Sequence, residues 1–214
     1  KIMATKIKVC LLGFIALIFS IYGYKTCEKA IFNFNQTDQC FKNVTYELSP
    51  LFDAHSIMIV DSQVKAAHGL ITFEEYCKNI KEAKETIKKH LKNYENKINS
   101  QEERLLLDKL KIRCKDTFKY LDKIEKICKE KDASQLKILI ENGELYTVVD
   151  KATDTINEIL EKEMVISSVY TSESVKSLKQ FEKFVSIFMG LSIVMCVAVF
   201  IPMAKAKKTR KRVK

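Results

Sequence analysis

The chain has 214 residues, 47% apolar and 30% charged, with only five Gly, two Pro and no Trp. So few breakers, and no Asn-Gly or Asp-Gly pair between alternating apolar runs, exclude a sheet-rich fold and predict an all-α protein. The formal net charge of +10 equals the ten cations at the two ends, which leaves 27 Lys and Arg against 27 Asp and Glu between them; this excludes a nucleic-acid-binding face as the origin of the charge.

The N-terminal cations are Lys1, Lys6 and Lys8, and the apolar run 9–24 follows them. Residues 1–8 are expected to stay cytoplasmic, because Lys and Arg beside a membrane segment resist translocation. The run is short enough to be the core of a signal peptide. Its exit, Ser20-Ile-Tyr-Gly-Tyr-Lys25, is bulky and lacks a small-x-small cleavage pattern, so an uncleaved transmembrane helix or signal anchor is expected.

Helix one continues through Pro50 to about residue 68, with Leu48, Phe52, Ile59 and Ala66 as its apolar seam. Cys27 and Cys40 lie on its membrane-near part, where a symmetric second copy would set each thiol beside its counterpart and allow an intermolecular disulfide. His55 sits between Phe52 and Ile59, and Asp61 interrupts the apolar stretch 56–60. These two are the ligand-binding candidates, and the alternatives are a satisfied core histidine and a solvated carboxylate. Asn35-Gln-Thr37 and Asn43-Val-Thr45 match the glycosylation sequon, which matters only in a cell with that machinery.

Gly69 is the expected stop of helix one, since glycine tolerates the left-handed conformation of a C-terminal cap. Three pairs then have capping-box spacing: Thr72 with Glu75, Ser100 with Glu103, and Asp132 with Gln135. The first opens helix two, about 73–98, whose apolar residues Phe73, Cys77, Ile80, Ile87, Leu91, Tyr94 and Ile98 alternate spacings of three and four around the single exception Lys84. His68 and His90 read as exposed. The second pair opens helix three, about 101–130, with Leu107, Leu110, Cys114, Thr117, Leu121, Ile124 and Cys128 on one seam. Cys77, Cys114 and Cys128 therefore read as small buried hydrophobes. A hairpin turning near residue 99 would set Cys77 opposite residue 122, too far from Cys114 or Cys128 for a bridge, which needs Cα atoms within about 7 Å.

Helix four starts near 133, wavers at Asn142-Gly143, and continues through Val149, Ala152, Ile156 and Ile159. Beyond Glu163 its seam gives way to a Ser-rich stretch. The predicted domain, residues 25–183, is an antiparallel up-down four-helix bundle outside the cytoplasm. Its membrane-proximal part, 25–39 with 163–183, is a two-helix stalk that cannot bury an apolar face alone, so a homodimer is expected. Residues 184–203 carry no charge and at about 1.5 Å per residue span the hydrocarbon core of a bilayer. The tail 204–214 holds Lys205, Lys207, Lys208, Arg210, Lys211, Arg212 and Lys214, expected on the cytoplasmic side against anionic headgroups.

No His-x-x-x-His, Cys-x-x-Cys or Glu-x-x-His spacing is present, and no nucleophile elbow, phosphate loop or dinucleotide fingerprint. Neither an enzyme nor a bound metal or cofactor is expected.

The order of transmembrane helix, extracytoplasmic helical bundle, transmembrane helix and basic exit resembles the sensor half of methyl-accepting chemotaxis receptors. The segments His68-Gly-Leu-Ile-Thr-Phe-Glu-Glu75, Glu102-Glu-Arg-Leu-Leu-Leu-Asp108 and Ile156-Asn-Glu-Ile-Leu-Glu-Lys-Glu-Met164 are similar to the second, third and closing helices of that family's four-helix-bundle sensor domain. The resemblance implies a homodimeric two-pass protein of a bacterial inner membrane, both termini cytoplasmic and the bundle in the periplasm or outside the cell. It further implies that small ligands, often amino acids or other metabolites, bind between helices and shift helix four. The family's receptors enter a HAMP domain and a long signalling hairpin after the second membrane helix, and residues 204–214 hold neither. Two other readings follow from the residues: an accessory or scaffolding subunit of a larger membrane complex, and a surface adhesin of a eukaryotic microbe, which the sequons and cysteines would serve.

Overall fold

The computed structural model describes the backbone of residues 2–98 and 100–212, and the side chains of residues 13–98, 100–194 and 197. Helix is the only regular structure among the described residues. It comprises α1 (Ile2–Asn43), α2 (Ser49–Asp53), α3 (Ser62–Ala67), α4 (Phe73–Glu95), α5 (Gln101–Glu130), α6 (Ser134–Glu141) and α7 (Glu144–Arg212), with π-helical segments at Val44–Leu48 and Ala54–Asp61. By Cα proximity the chain divides into two compact units, residues up to Gln36 with those from Val169 onward, and Thr37–Ser168.

In the unit Thr37–Ser168, four stretches of helix contribute to one core. The stretch 48–63 supplies Leu48, Leu51, Ala54 and Ile59; α4 supplies Tyr76, Ile80, Ala83, Ile87 and Tyr94; α5 supplies Leu107, Leu110, Leu121, Ile124 and Ile127; Leu136, Leu145, Val149, Ile156 and Ile159 complete it. Each fully buried Leu or Ile removes enough apolar surface from water to stabilise the fold by about 1.5–3 kcal/mol before ordering costs.

The π turns replace the uninterrupted helix expected through Pro50. Proline has no N–H to donate, and just ahead of it both the N–H and the Oγ of Ser49 donate to Val44 O, five residues back. Widening the helix there rotates the seam, so that Leu51 rather than Phe52 is fully buried and the polar His55 and Gln63 enter the core.

Caps mark the helix limits. Thr72 Oγ1 accepts from Glu75 N at 3.1 Å, and Ser100 with Glu103 closes a full capping box. Asp132 holds Ser134 N at 3.2 Å and Gln135 Nε2 at 2.8 Å from just outside α6. Gly69 and Gly143 take left-handed φ of 70° and 73°. At Gly143 the wavering of helix four becomes a break, with Asn142 Oδ1 accepting from Glu144 N at 2.9 Å.

The pairing of α4 with α5 corrects one expectation outright: Cys77 and Cys128 form a disulfide, Cα atoms 5.9 Å apart. Helix α4 ends at Glu95, Ile98 beyond it is buried, and Glu95 pairs with Lys111 and Lys84 with Asp122 and Glu125. The first turns of α5 thus lie beyond the end of α4. Cys77 faces 128 rather than 122.

In the other unit, described by itself, α1 lies against α7 through aromatic side chains. Phe19 stacks on Phe184 with centroids 4.3 Å apart and touches Phe188 at 4.1 Å. Tyr22 also meets Phe184, Phe32 is edge-on to Tyr170, and Lys29 pairs with Glu173 at 3.3 Å. A Cβ on Gly23 would lie 3.1 Å from the Phe181 ring. Phe14, Leu17, Ile21, Ile187, Met189, Leu191, Ile193 and Val194 are exposed. Among the described residues no helix is long and apolar enough to cross a membrane. The side chains of 9–12 and, but for Val197, of 195–203 lie outside the described residues, as do those of Lys205, Lys207, Lys208, Arg210, Lys211, Arg212 and Lys214.

Candidate functional site

Helix seams are apolar by necessity, so polar side chains inside this core are where chemistry concentrates. Three such groups occupy the unit Thr37–Ser168.

The first is built on Gln63, which is fully buried. Its Oε1 accepts from Tyr76 OH at 3.1 Å and Tyr120 OH at 2.7 Å, and its Nε2 donates to Leu136 O at 3.4 Å. One glutamine thus joins α3, α4, α5 and α6. Burial pushes the pKa of both phenols up, so they stay neutral donors.

The second is His55, also fully buried. Its Nδ1–H donates to Leu51 O at 2.7 Å, and its Nε2 is buried without a partner. Desolvation lowers its pKa to about 4, against a smaller rise from the Leu51 bond, so the ring is neutral at pH 7. The other sequence candidate, Asp61, is apart from it: its carboxylate is half exposed and paired with Lys65 at 2.6 Å on the same helical face.

The third lies where α1, α4, α5 and α7 come together. Glu163 is 1% exposed. Its Oε1 accepts from Asn43 Nδ2 at 2.9 Å and Tyr94 OH at 3.2 Å, while Oε2 is buried with no hydrogen-bond partner. The Cys40 thiol lies beside this carboxyl; burial first and then Glu163 push it up to about 12. Burial raises the Glu163 carboxyl too, against the donors around it. Nearby, Glu47 accepts from His90 Nδ1 at 2.9 Å and Lys97 Nζ at 2.5 Å; burial alone would raise this carboxyl, and its hydrogen bonds outweigh that and hold it low. His90, expected exposed, is half-buried against Glu47, which reaches across from the π turn. His68 is exposed as expected.

Of the thiols, Cys27 is exposed and Cys40 and Cys114 are buried. Asn43, in the second sequon, is buried and holds Glu163, whereas Asn35 is exposed. No group of three His, Cys, Asp or Glu among the described residues is placed to hold a metal ion.

Of the grooves on the outside of the unit, two run along α5. One, of about 280 Å³ between α5 and α7, has Tyr120 and Val148 as its floor and Arg113, Thr147 and Lys151 on its rim. Its other cations Lys119 and Lys123 are paired with Asp116 and Glu144, whereas Arg113 and Lys151 have no ion pair among the described residues. The other, of about 420 Å³ between α4 and α5, contains the disulfide and Lys81, Lys84 and Lys88. There Lys84 is held by Asp122 and Glu125 and Lys88 lies over the Phe118 ring. The first groove combines an apolar floor with free cations and suits a small organic anion.

Sequence reasoning missed Gln63, Tyr120, Glu47 and Glu163, each of which looks like an ordinary polar residue of a helix surface until its partner on another helix is known. No protein-family model, curated protein or solved structure matches this chain.

Proposed function

We propose that this chain is a two-pass membrane protein whose helical unit, an antiparallel four-helix bundle, stands outside the cytoplasm and senses a small molecule as a homodimer, in the manner of chemoreceptor sensor domains. The observation that carries the reading is the apolar surface around the paired Phe19, Phe184 and Phe188, where Phe14, Leu17, Ile187, Met189, Leu191, Ile193 and Val194 are all more than half exposed. An apolar surface of this kind calls for an apolar cover, and the charge-free sequence runs 9–24 and 184–203 approach bilayer length. The Cys77–Cys128 bond supports the same topology independently, since disulfides persist in oxidising compartments and not in the cytosol. Basic ends inside and an oxidised unit outside agree.

Ligand recognition in this reading belongs to the groove of Arg113, Thr147 and Lys151, and α7, a single helix from Glu144 to Arg212, carries the response. A thermal-shift panel of amino acids and organic acids on the full chain in detergent tests it, because a ligand that binds only the folded form raises the melting temperature. Organic acids are expected to do so. No response across the panel, together with copurification in a fixed membrane complex, would replace the sensor with an accessory subunit.

A further inference from the structure

Glu163 Oε1 is saturated by Asn43 and Tyr94, Oε2 makes no hydrogen bond of ordinary geometry, with only the Cys40 thiol beside the carboxyl, and the side chain is shut from water. A carboxylate buried this way is ordinarily neutralised by a cation. None serves here: Lys97 is engaged by Glu47, Lys162 by Glu102, and Glu163 has no ion pair among the described residues. The ionisable groups that act on it are the Cys40 thiol of α1, the Tyr94 phenol of α4 and the Glu103 carboxylate of α5. Thiol and phenol are neutral donors, and Glu103 repels a second negative charge. A proton is the species that completes the site.

We infer that Glu163 is a proton-binding site, whose neutral form clamps α7 to α1 and α4 and whose ionised form loosens that clamp. The proton comes from water and adds to Oε2, while Oε1 keeps its two hydrogen bonds as the carbonyl oxygen. Neutral Glu163 then has every contact of the charged form without the cost of a buried charge. The direction agrees with the raised carboxyl: a folded-state pKa above the unfolded value contributes stability that is full below the unfolded pKa and is lost as pH rises through the folded one. The site stands whether or not the chain is a receptor.

Acid–base infrared difference spectra of the full chain in nanodiscs test it, because a protonated carboxyl absorbs above the amide region. The wild type should gain a carboxyl band on acidification with a midpoint above that of an ordinary glutamate, and Glu163→Gln should lose that band. The S–H stretch of Cys40, identified by its loss in Cys40→Ala, should shift at the same midpoint. Tyr94→Phe removes a donor to the charged form, so its midpoint should rise above that of the wild type, which keeps the test open if Glu163→Gln fails to fold. Amide exchange over 156–168, corrected for its intrinsic pH dependence, should slow on acidification in the wild type and be insensitive to pH in Glu163→Gln. Identical carboxyl bands in wild type and Glu163→Gln, a Tyr94→Phe midpoint that stays or falls, or exchange with the same pH response in both proteins would overturn the inference.

Discussion

Cys77 and Cys128 face each other across α4 and α5, joined by a disulfide with 51 residues of separation. The bond fixes the register of the two helices and holds the wall of the α4–α5 groove. Loop-closure entropy for a loop of that length corresponds to about 4 kcal/mol of stability, within the usual range for removing a native bridge. Urea unfolding of the full chain with and without reductant should therefore show a large loss of stability, reproduced by a Cys77→Ser/Cys128→Ser double variant under oxidising conditions. Equal midpoints in all three samples would mean that the pair is not bonded in solution.

His55 predicts an acid sensitivity opposite in sign to that of Glu163. The unfolded imidazole takes up a proton near pH 6.5, and the buried one does so only near 4. Stability should fall as pH drops through that window, by about 3 kcal/mol at most, because the unfolded chain binds the extra proton. His55→Leu should unfold with little change of stability at pH 7 and lack this loss between pH 6.5 and 4. A stability difference between wild type and His55→Leu that stays constant across the window, which cancels the contribution of Glu163 common to both, would show that the imidazole is accessible.

Gln63 is a single acceptor for two buried phenols. Gln63→Leu should cost about 2–5 kcal/mol, since each buried donor left without a partner loses about 1–3 kcal/mol and the Leu136 contact goes too. Adding Tyr76→Phe and Tyr120→Phe to Gln63→Leu should restore part of the loss, because hydroxyls removed with their acceptor no longer go unpaired. Chemical denaturation of Gln63→Leu, Tyr76→Phe, Tyr120→Phe and the triple variant measures it, and strict additivity would contradict the network.

Much of the helical layout was legible because its signals are local. Capping residues and glycines mark the starts of α4 and α5 and the break at Gly143, and the spacing of Leu107, Leu110, Cys114, Thr117, Leu121 and Ile124 names six residues that are in fact buried. What depends on register between helices was not legible. The register of α5 on α4 decides whether Cys77 meets residue 122 or 128, and no local pattern encodes it. Lys84 breaks an apolar seam in the sequence and is explained only by Asp122 and Glu125 on the neighbouring helix. Glu163 finds Asn43 from 120 positions away, and the π turns that carry His55 and Gln63 inward shift the seam by a step that a regular helical period cannot anticipate.

The free cations of the α5–α7 groove make the ligand reading specific. Arg113→Ala/Lys151→Ala should leave the melting temperature of the unliganded chain within about 0.5 kcal/mol equivalent, as surface substitutions do, and abolish stabilisation by any organic acid that stabilises the wild type. Undiminished stabilisation in the double variant would move the site elsewhere.

The topology is the claim on which the rest stands, and protease protection tests it most directly. Protease added outside intact cells displaying the full chain, tagged after Lys214, should cut within Thr37–Ser168 and leave the tag attached to a membrane-embedded fragment. Complete protection of Thr37–Ser168, or loss of the tag before the membrane is opened, would contradict an extracytoplasmic unit anchored by two membrane helices.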